Sequence, residues 1–216
     1  MPSRTRVKFC GMRTLADAAL AVDLGVDALG FVFYRDSPRN IDVATARAII
    51  ATLPPLVTSV GLFVDAERSW VERVVAETGI DLIQFHGKEP GQLCSASPRP
   101  YIKAIQVDAA TDFAATQAEY AGARALLLDA HHPQIRGGTG LSFDWSLIPS
   151  TCRGSMILAG GLSCANVADA IRTVRPYAVD VSGGIESRKG VKDAQKMRDF
   201  IAEVRKIERE LESKKT

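Results

Sequence analysis

Short runs of β-branched and apolar residues alternate with longer stretches of helical spacing, eight times along the chain. Few folds accept that pattern. Strict strand–helix alternation argues for an α/β architecture with a parallel sheet, and against α+β and all-β folds. The runs are 6–10, 28–33, 57–64, 82–85, 101–106, 125–129, 155–159 and 177–182. The helical stretches are 15–24, 43–53, 67–78, 89–95, 110–120, 143–148, 164–174 and 191–211. Gly25 is placed to stop the first helix, Asp42 to cap the second, and Pro54-Pro55 to end it. The repeat is roughly 27 residues, the scale of a single-domain (β/α)8 TIM barrel. Continuously apolar strands such as Leu126-Leu127-Leu128 fit a parallel sheet covered on its outer face. A doubly wound open sheet is the rival, and eight regular units favour closure. The charged tail from about 208 to 216 is expected to fray.

The 216 residues suit one domain spanning 1–216. A net charge of +2, with basic residues scattered among acidic ones, gives no stripe for nucleic acid. No apolar run approaches a membrane span. The first six residues hold no apolar leader, so a cytoplasmic protein is expected. Cys10, Cys94, Cys152 and Cys164 form no CxxC pair. Neither structural zinc nor a disulfide framework is expected. His131-His132 lacks a clear third ligand, so no metal is predicted.

In a barrel of this kind chemistry gathers where strands end and loops to the next helix begin. Three glycine clusters fall there: Gly137, Gly138 and Gly140 after the sixth strand, Gly160-Gly161 after the seventh, and Ser182-Gly183-Gly184 after the eighth. Glycine permits close approach of backbone N–H groups to an anion, and helix starts add oriented donors. Three clusters on successive late loops predict a phosphate site.

Cys10 ends the first strand. It is either a buried structural thiol or, given its place at the rim, a base whose thiolate must be stabilised. Lys8 lies two residues earlier on the same side of the strand. Arg13 is a second nearby cation. Asp129 ends the sixth strand. It is either a loop anchor or a proton donor whose carboxyl is desolvated at the barrel mouth. One base, one acid and one phosphate anchor form the layout of a phosphosugar isomerase. Arg39, in Ser37-Pro38-Arg39 after the second strand, is either a solvated surface residue or a fork for a substrate carboxylate. Its loop is expected across the mouth from the glycine loops. Gln84 and His86 either hydrogen-bond substrate or pack the barrel mouth. Asp180 is placed to orient substrate or a phosphate loop.

At these residues the chain resembles the phosphoribosylanthranilate isomerase family of tryptophan biosynthesis. The resemblance runs from Val7 to about Phe200. It rests on VKFCGM, DALGFVF with SPR, GLFV, IQFHG, LLLDA with GGTGLSFDW, LAGGL, VDVSGGIES and GVKDAQKMRDF, in that order. Met12-Arg13 stands where Ile-Thr is more usual, and VSGGIE where VSSGVE is frequent. The resemblance implies a barrel that performs an Amadori rearrangement of a small phosphosugar without a cofactor, as a monomer or homodimer. It implies Cys10 as general base and Asp129 as general acid. Arg39 would hold the anthranilate carboxylate and the glycine loops the phosphate. The related histidine-pathway isomerase carries aspartate at the position of Cys10. A phosphate-binding barrel without activity would need neither Cys10 nor Asp129.

Overall fold

A computed structural model describes residues 4–108, 110–129, 145, 148–149 and 155–213. Eight parallel strands close into one barrel in chain order. They are β1 (Arg6–Cys10), β2 (Ala28–Val32), β3 (Thr58–Phe63), β4 (Leu82–Phe85), β5 (Tyr101–Gln106), β6 (Leu126–Asp129), β7 (Ile157–Ala159) and β8 (Ala178–Val181). Closure comes from β1, which pairs with β2 on one side and β8 on the other, setting Lys8 opposite Asp180. Outside the ring lie α1 (Leu15–Asp23), α2 (Val43–Ile50), α3 (Arg68–Thr78), α4 (Gly91–Ser95) and α5 (Phe113–Glu119). They are followed by α6 (Val167–Val174) and α7 (Ala194–Ser213).

The period-2 geometry of a strand sorts side chains into two cores. Val7, Phe9, Leu29, Phe31, Phe63, Ile83, Phe85, Leu128, Leu158 and Val179 point outward and are covered by the helices. Phe33 stacks on Phe63, and Phe9 meets Phe200 of α7 edge-on, with ring centroids 5.5 and 6.0 Å apart. The opposite parity faces inward. Val60, Ile102, Ala104, Leu127, Ile157 and Ala178 fill the barrel interior. Cys10, Val32 and Leu62 form a separate apolar layer. Burying each large side chain contributes about 1.5–3 kcal/mol, so both cores are substantial.

Local signals behave as the sequence predicts at several ends. The Asp42 carboxylate accepts from Thr45 N and caps α2, and Thr14 does the same for α1 through Asp17 N. Gly25 follows α1 with its N–H donating to Val22 O. Elsewhere the elements are shorter than expected. α2 stops at Ile50, and the chain tightens through Thr52 N to Ile49 O and Leu53 N to Ile50 O. α6 starts only at Val167, because Asn166 turns back to accept from Ser163 N. The helix expected over 143–148 lies outside the described residues apart from Trp145 and Ile148.

Two corrections concern the C-terminal end. The long helix does not begin at Val191. Glu186–Arg188 (β9) and Val191–Lys192 (β10) form a small antiparallel hairpin, and Asp193 then caps α7 by accepting from Gln195 N and Lys196 N. The helix also runs past the start of the charged tail at Glu208. α7 continues to Ser213, with Leu211 packed on the core and Glu208 accepting from Thr5 N.

Candidate active site

The C-terminal ends of the strands surround a cavity of about 500 Å³. Cys10, Arg39, Gln84, His86, Asp129 and Asp180 all line it, together with Gly160, Gly161, Ser182, Gly183 and Gly184. Six of these arrive by parity alone. Cys10, Gln84, Asp129 and Asp180 occupy inward positions at or near the ends of their strands, and His86 and Ser182 continue that register. Gly137, Gly138 and Gly140 lie outside the described residues, as do His131 and His132.

Lys8 sits directly beneath the mouth. Its ammonium donates to Asp180 Oδ1 at 2.9 Å, with both side chains almost fully buried. Burial lowers the Lys8 pKa, but Asp180 and Cys10 outweigh it and leave the ammonium above its usual value. Cys10 feels the reverse balance. Burial raises its pKa, Lys8 lowers it, Asp180 raises it and Lys192 lowers it; the outcome is a thiol above its ordinary range. The neighbourhood therefore supplies the expected cation, yet desolvation exceeds it. Arg13 is not that cation. Its guanidinium donates to Pro38 O and Gly190 O, tying loops together.

At the other side, Gln84, His86 and Asp129 form a chain. Gln84 Nε2 lies 2.8 Å from His86 Nδ1, and His86 Nε2 lies 3.3 Å from Asp129 Oδ2. Gln84 is fully buried and its Oε1 has no partner. With the amide N–H donating to Nδ1, the ring proton sits on Nε2 and points at Oδ2 of the Asp129 carboxyl group. The loop that carries His86 is anchored below. Lys103 donates to Gly87 O at 2.7 Å, and Glu89 accepts from Asp65 N and Gly87 N. The sequence reading missed Lys103 and Glu89, a buried pair that holds Gly87, the neighbour of His86, from both its N–H and its carbonyl.

The glycine loops after β7 and β8 touch. A Cβ on Gly184 would fall 1.9 Å from Leu162 O, so only glycine allows this approach, and Ser163 bridges to Gly184. Ser182 Oγ donates to Cys10 O at 3.1 Å, which locks the β8 loop to the end of β1. The Ser182 hydroxyl is thus committed to the backbone.

Arg39 is not across the mouth from these loops. Because β1 separates β2 from β8 by one strand, the side chain reaches over Gly11 to the β8 loop. A Cβ on Gly11 would sit 2.7 Å from Arg39 Cδ, so glycine with φ +80° makes room for the stem. The guanidinium donates from Nε and Nη2 to Glu186 at 2.7 and 2.9 Å, and a Cβ on Gly183 would lie 3.4 Å from Nη2. Glu186 and Lys192 were not singled out by the sequence reading. The one signal available was Gly190, whose φ of +79° serves the turn between the two short strands.

Among the described residues no group of His, Cys, Asp and Glu is placed to hold a metal. No helix among them is long and apolar enough to cross a membrane.

Comparison with known proteins agrees with this geometry. Residues 7–203 match the family model of N-(5'-phosphoribosyl)anthranilate (PRA) isomerase. A Pseudomonas putida relative named N-(5'-phosphoribosyl)anthranilate isomerase is 52% identical over 203 residues, 94% of this chain and 98% of its own length. One of the same name from Azotobacter vinelandii is 54% identical over 200 residues, 93% and 97% of the two chains. The phosphoribosylanthranilate isomerase crystal structure from Thermotoga maritima superposes with a TM-score of 0.85 at 40% identity, covering 94% of this chain and 99% of that one. A structure of such an isomerase in complex with reduced 1-(o-carboxyphenylamino)-1-deoxyribulose 5-phosphate gives 0.81 at 39% identity, over 94% and 99%. Another records monomers generated from the dimeric Thermotoga maritima enzyme, with 0.79 at 37% identity, over 94% and 99%.

Proposed function

The chain belongs to the N-(5'-phosphoribosyl)anthranilate isomerase family, and from that premise we propose how its own residues divide the reaction. The protein is an isomerase of tryptophan biosynthesis. It converts N-(5'-phosphoribosyl)anthranilate to 1-(2-carboxyphenylamino)-1-deoxyribulose 5-phosphate.

Asp129 protonates the furanose ring oxygen. The C1–O bond breaks and its electrons leave with that oxygen, giving a Schiff base between C1 and the anthranilate nitrogen. Cys10 then takes the C2 proton, and the C–H electrons flow toward the nitrogen to give an enolamine. Loss of the enol proton and protonation at C1 complete the ketone. One observation carries this assignment: Cys10 and Asp129 face a single cavity from different strands, with the glycine loops of β7 and β8 beside them.

The electrostatics fit the order of events. A thiol that burial holds protonated gains from any positive charge brought near it. The Schiff base formed by the acid step is protonated, and it lies next to the C2–H that Cys10 attacks. The thiolate is thus favoured at the step that uses it, and Lys8 and Lys192 act in the same direction. His86 holds the Asp129 carboxyl through Nε2, and Gln84 beneath it fixes the ring. Asp180, paired with Lys8, lies at the cavity wall where it can receive a sugar hydroxyl. The backbone of Gly160-Gly161 and Gly183-Gly184 holds the phosphate, which fixes C2 against Cys10 and lowers the entropic part of the barrier. Arg39 takes the anthranilate carboxylate with the N–H groups that Glu186 leaves open. The steps proposed here use side chains and backbone alone and require no cofactor. We place the enzyme in the cytoplasm, as a monomer or homodimer.

The test is conversion of N-(5'-phosphoribosyl)anthranilate, followed by the loss of its fluorescence with identification of the ribulose product. Loss of fluorescence with no such product, or no loss at all, would overturn the reading.

A further inference from the structure

Glu186 is the meeting point of three cations. Its carboxylate accepts from Arg39 Nε at 2.7 Å, from Arg39 Nη2 at 2.9 Å and from Lys192 Nζ at 3.0 Å. Its main-chain carbonyl accepts from Lys196 Nζ at 2.7 Å. The side chain is 3% exposed, and that of Lys192 is 1% exposed. Burial pushes the Glu186 pKa up, but Arg39 and Lys192 together hold it below its usual value, so the group is a carboxylate. Lys192 also donates to Ser182 O at 3.1 Å, joining this cluster to the loop that lines the phosphate side of the cavity.

The surrounding backbone is built to present this carboxylate. Glu186 opens β9 and Lys192 closes β10, so the hairpin puts both on one side of the β8 loop. The turn of the hairpin packs against the loop that bears Arg39. A Cβ on Gly190 would fall 2.3 Å from Pro38 O, and Arg13 Nη1 donates to both Pro38 O and Gly190 O. Arg39 itself is 26% exposed and lines the cavity.

We propose that Glu186 is the positioning residue for the substrate's carboxylate: it fixes the Arg39 fork in the plane and at the angle at which the open edge of the guanidinium meets that carboxylate. The proposal rests on the reading of Arg39 given above. Two consequences follow from the chemistry. Arginine has five N–H donors, and Glu186 uses two of them, leaving an intact edge for a second carboxylate. Glu186 cancels one of the two charges that its carboxylate pairs with, Arg39 and Lys192, and the positive charge that remains favours a carboxylate on the ligand. An arginine on a loop without Glu186 would keep its charge but lose its orientation, because the long side chain would sample other rotamers.

The experiment uses the full chain and two stable ligands, reduced 1-(o-carboxyphenylamino)-1-deoxyribulose 5-phosphate and its phenylamino counterpart without the carboxylate. Both are titrated against wild type, Arg39→Ala, Glu186→Gln and the double variant, and kcat and KM are measured for the true substrate. Glu186→Gln is expected to weaken binding of the carboxylate ligand about tenfold, the loss typical of one displaced charge-assisted contact. Binding of the counterpart should change less than about twofold by the same argument. KM should rise while kcat stays, and the double variant should bind no worse than Arg39→Ala alone. Equal losses for both ligands, or a fall in kcat at constant KM, would make Glu186 a fold element and end the proposal. Tighter binding of the carboxylate ligand by Glu186→Gln would also end it, by showing that Glu186 competes with the ligand. If Arg39→Ala harms both ligands alike, the Arg39 reading fails and takes this proposal with it, an outcome visible in that variant alone. Glu186→Asp carries the same comparison if the glutamine variant does not fold, with an intermediate loss expected because the shorter side chain reaches only part of the fork.

Discussion

Cys10 is held between opposing influences, and their balance is measurable. Burial raises its pKa, while Lys8 and Lys192 lower it. A raised pKa means that the thiol predominates until the pH passes the shifted value. Alkylation of Cys10 by iodoacetamide in the ligand-free enzyme should therefore increase with pH, with a midpoint above that of an ordinary cysteine. Lys8→Met should move the midpoint higher still. It removes the attraction that favours the thiolate and leaves the Asp180 carboxylate, which disfavours it, without its partner. A midpoint that is unchanged or lower in Lys8→Met would contradict this account. The residue types at the strand ends were legible because the inward parity of β1 and β6 follows from counting. Lys8 beside Cys10 was legible for the same reason. The direction of the Cys10 shift was not, since it depends on how completely the barrel removes water. Arg39 was singled out, but its partner was not: Glu186 is 147 positions away in sequence, and only the adjacency of β2, β1 and β8 brings the two together.

At the scale of elements, the alternation of runs predicted every barrel strand, and the structure shortens several helices by a few residues at their ends. Those differences lie where turns of i→i+3 type replace a helical turn, as at Thr52 and Asn166. The hairpin β9–β10 was invisible to periodicity because two of its runs are only three and two residues long. The contact between the β7 and β8 loops is a property of elements too. Gly184→Ala would force a Cβ into Leu162 O and push the two loops apart. Inorganic phosphate should compete with substrate in the wild type. In Gly184→Ala its inhibition constant should rise by about tenfold or more, the loss of one or two backbone contacts to a charged group. An unchanged constant would place the phosphate elsewhere.

For the whole molecule, closure of the ring is what turns distant segments into one site, and closure depends on β1 meeting β8, with Phe200 of α7 packed on Phe9 of β1. α7 contributes more than a charged tail would. Removal of residues 208–216 takes away the Leu211 packing and the Glu208 contact to Thr5 N. It should lower the unfolding free energy by about 2 kcal/mol, read from the urea midpoint. An unaltered midpoint would mean that these residues add nothing to the barrel. The same closure presents Cys10 and Asp129 to one substrate, and this is the central claim. It is tested most directly by the turnover of Cys10→Ser and Asp129→Asn at saturating N-(5'-phosphoribosyl)anthranilate, with binding of the reduced product analogue measured in the same preparations. Both variants are predicted to bind the analogue within a few-fold of wild type and to lose about a hundredfold or more in kcat, the usual weight of a general acid or base. Wild-type turnover in either variant, or a loss confined to KM, would contradict the assignment of that residue to proton transfer.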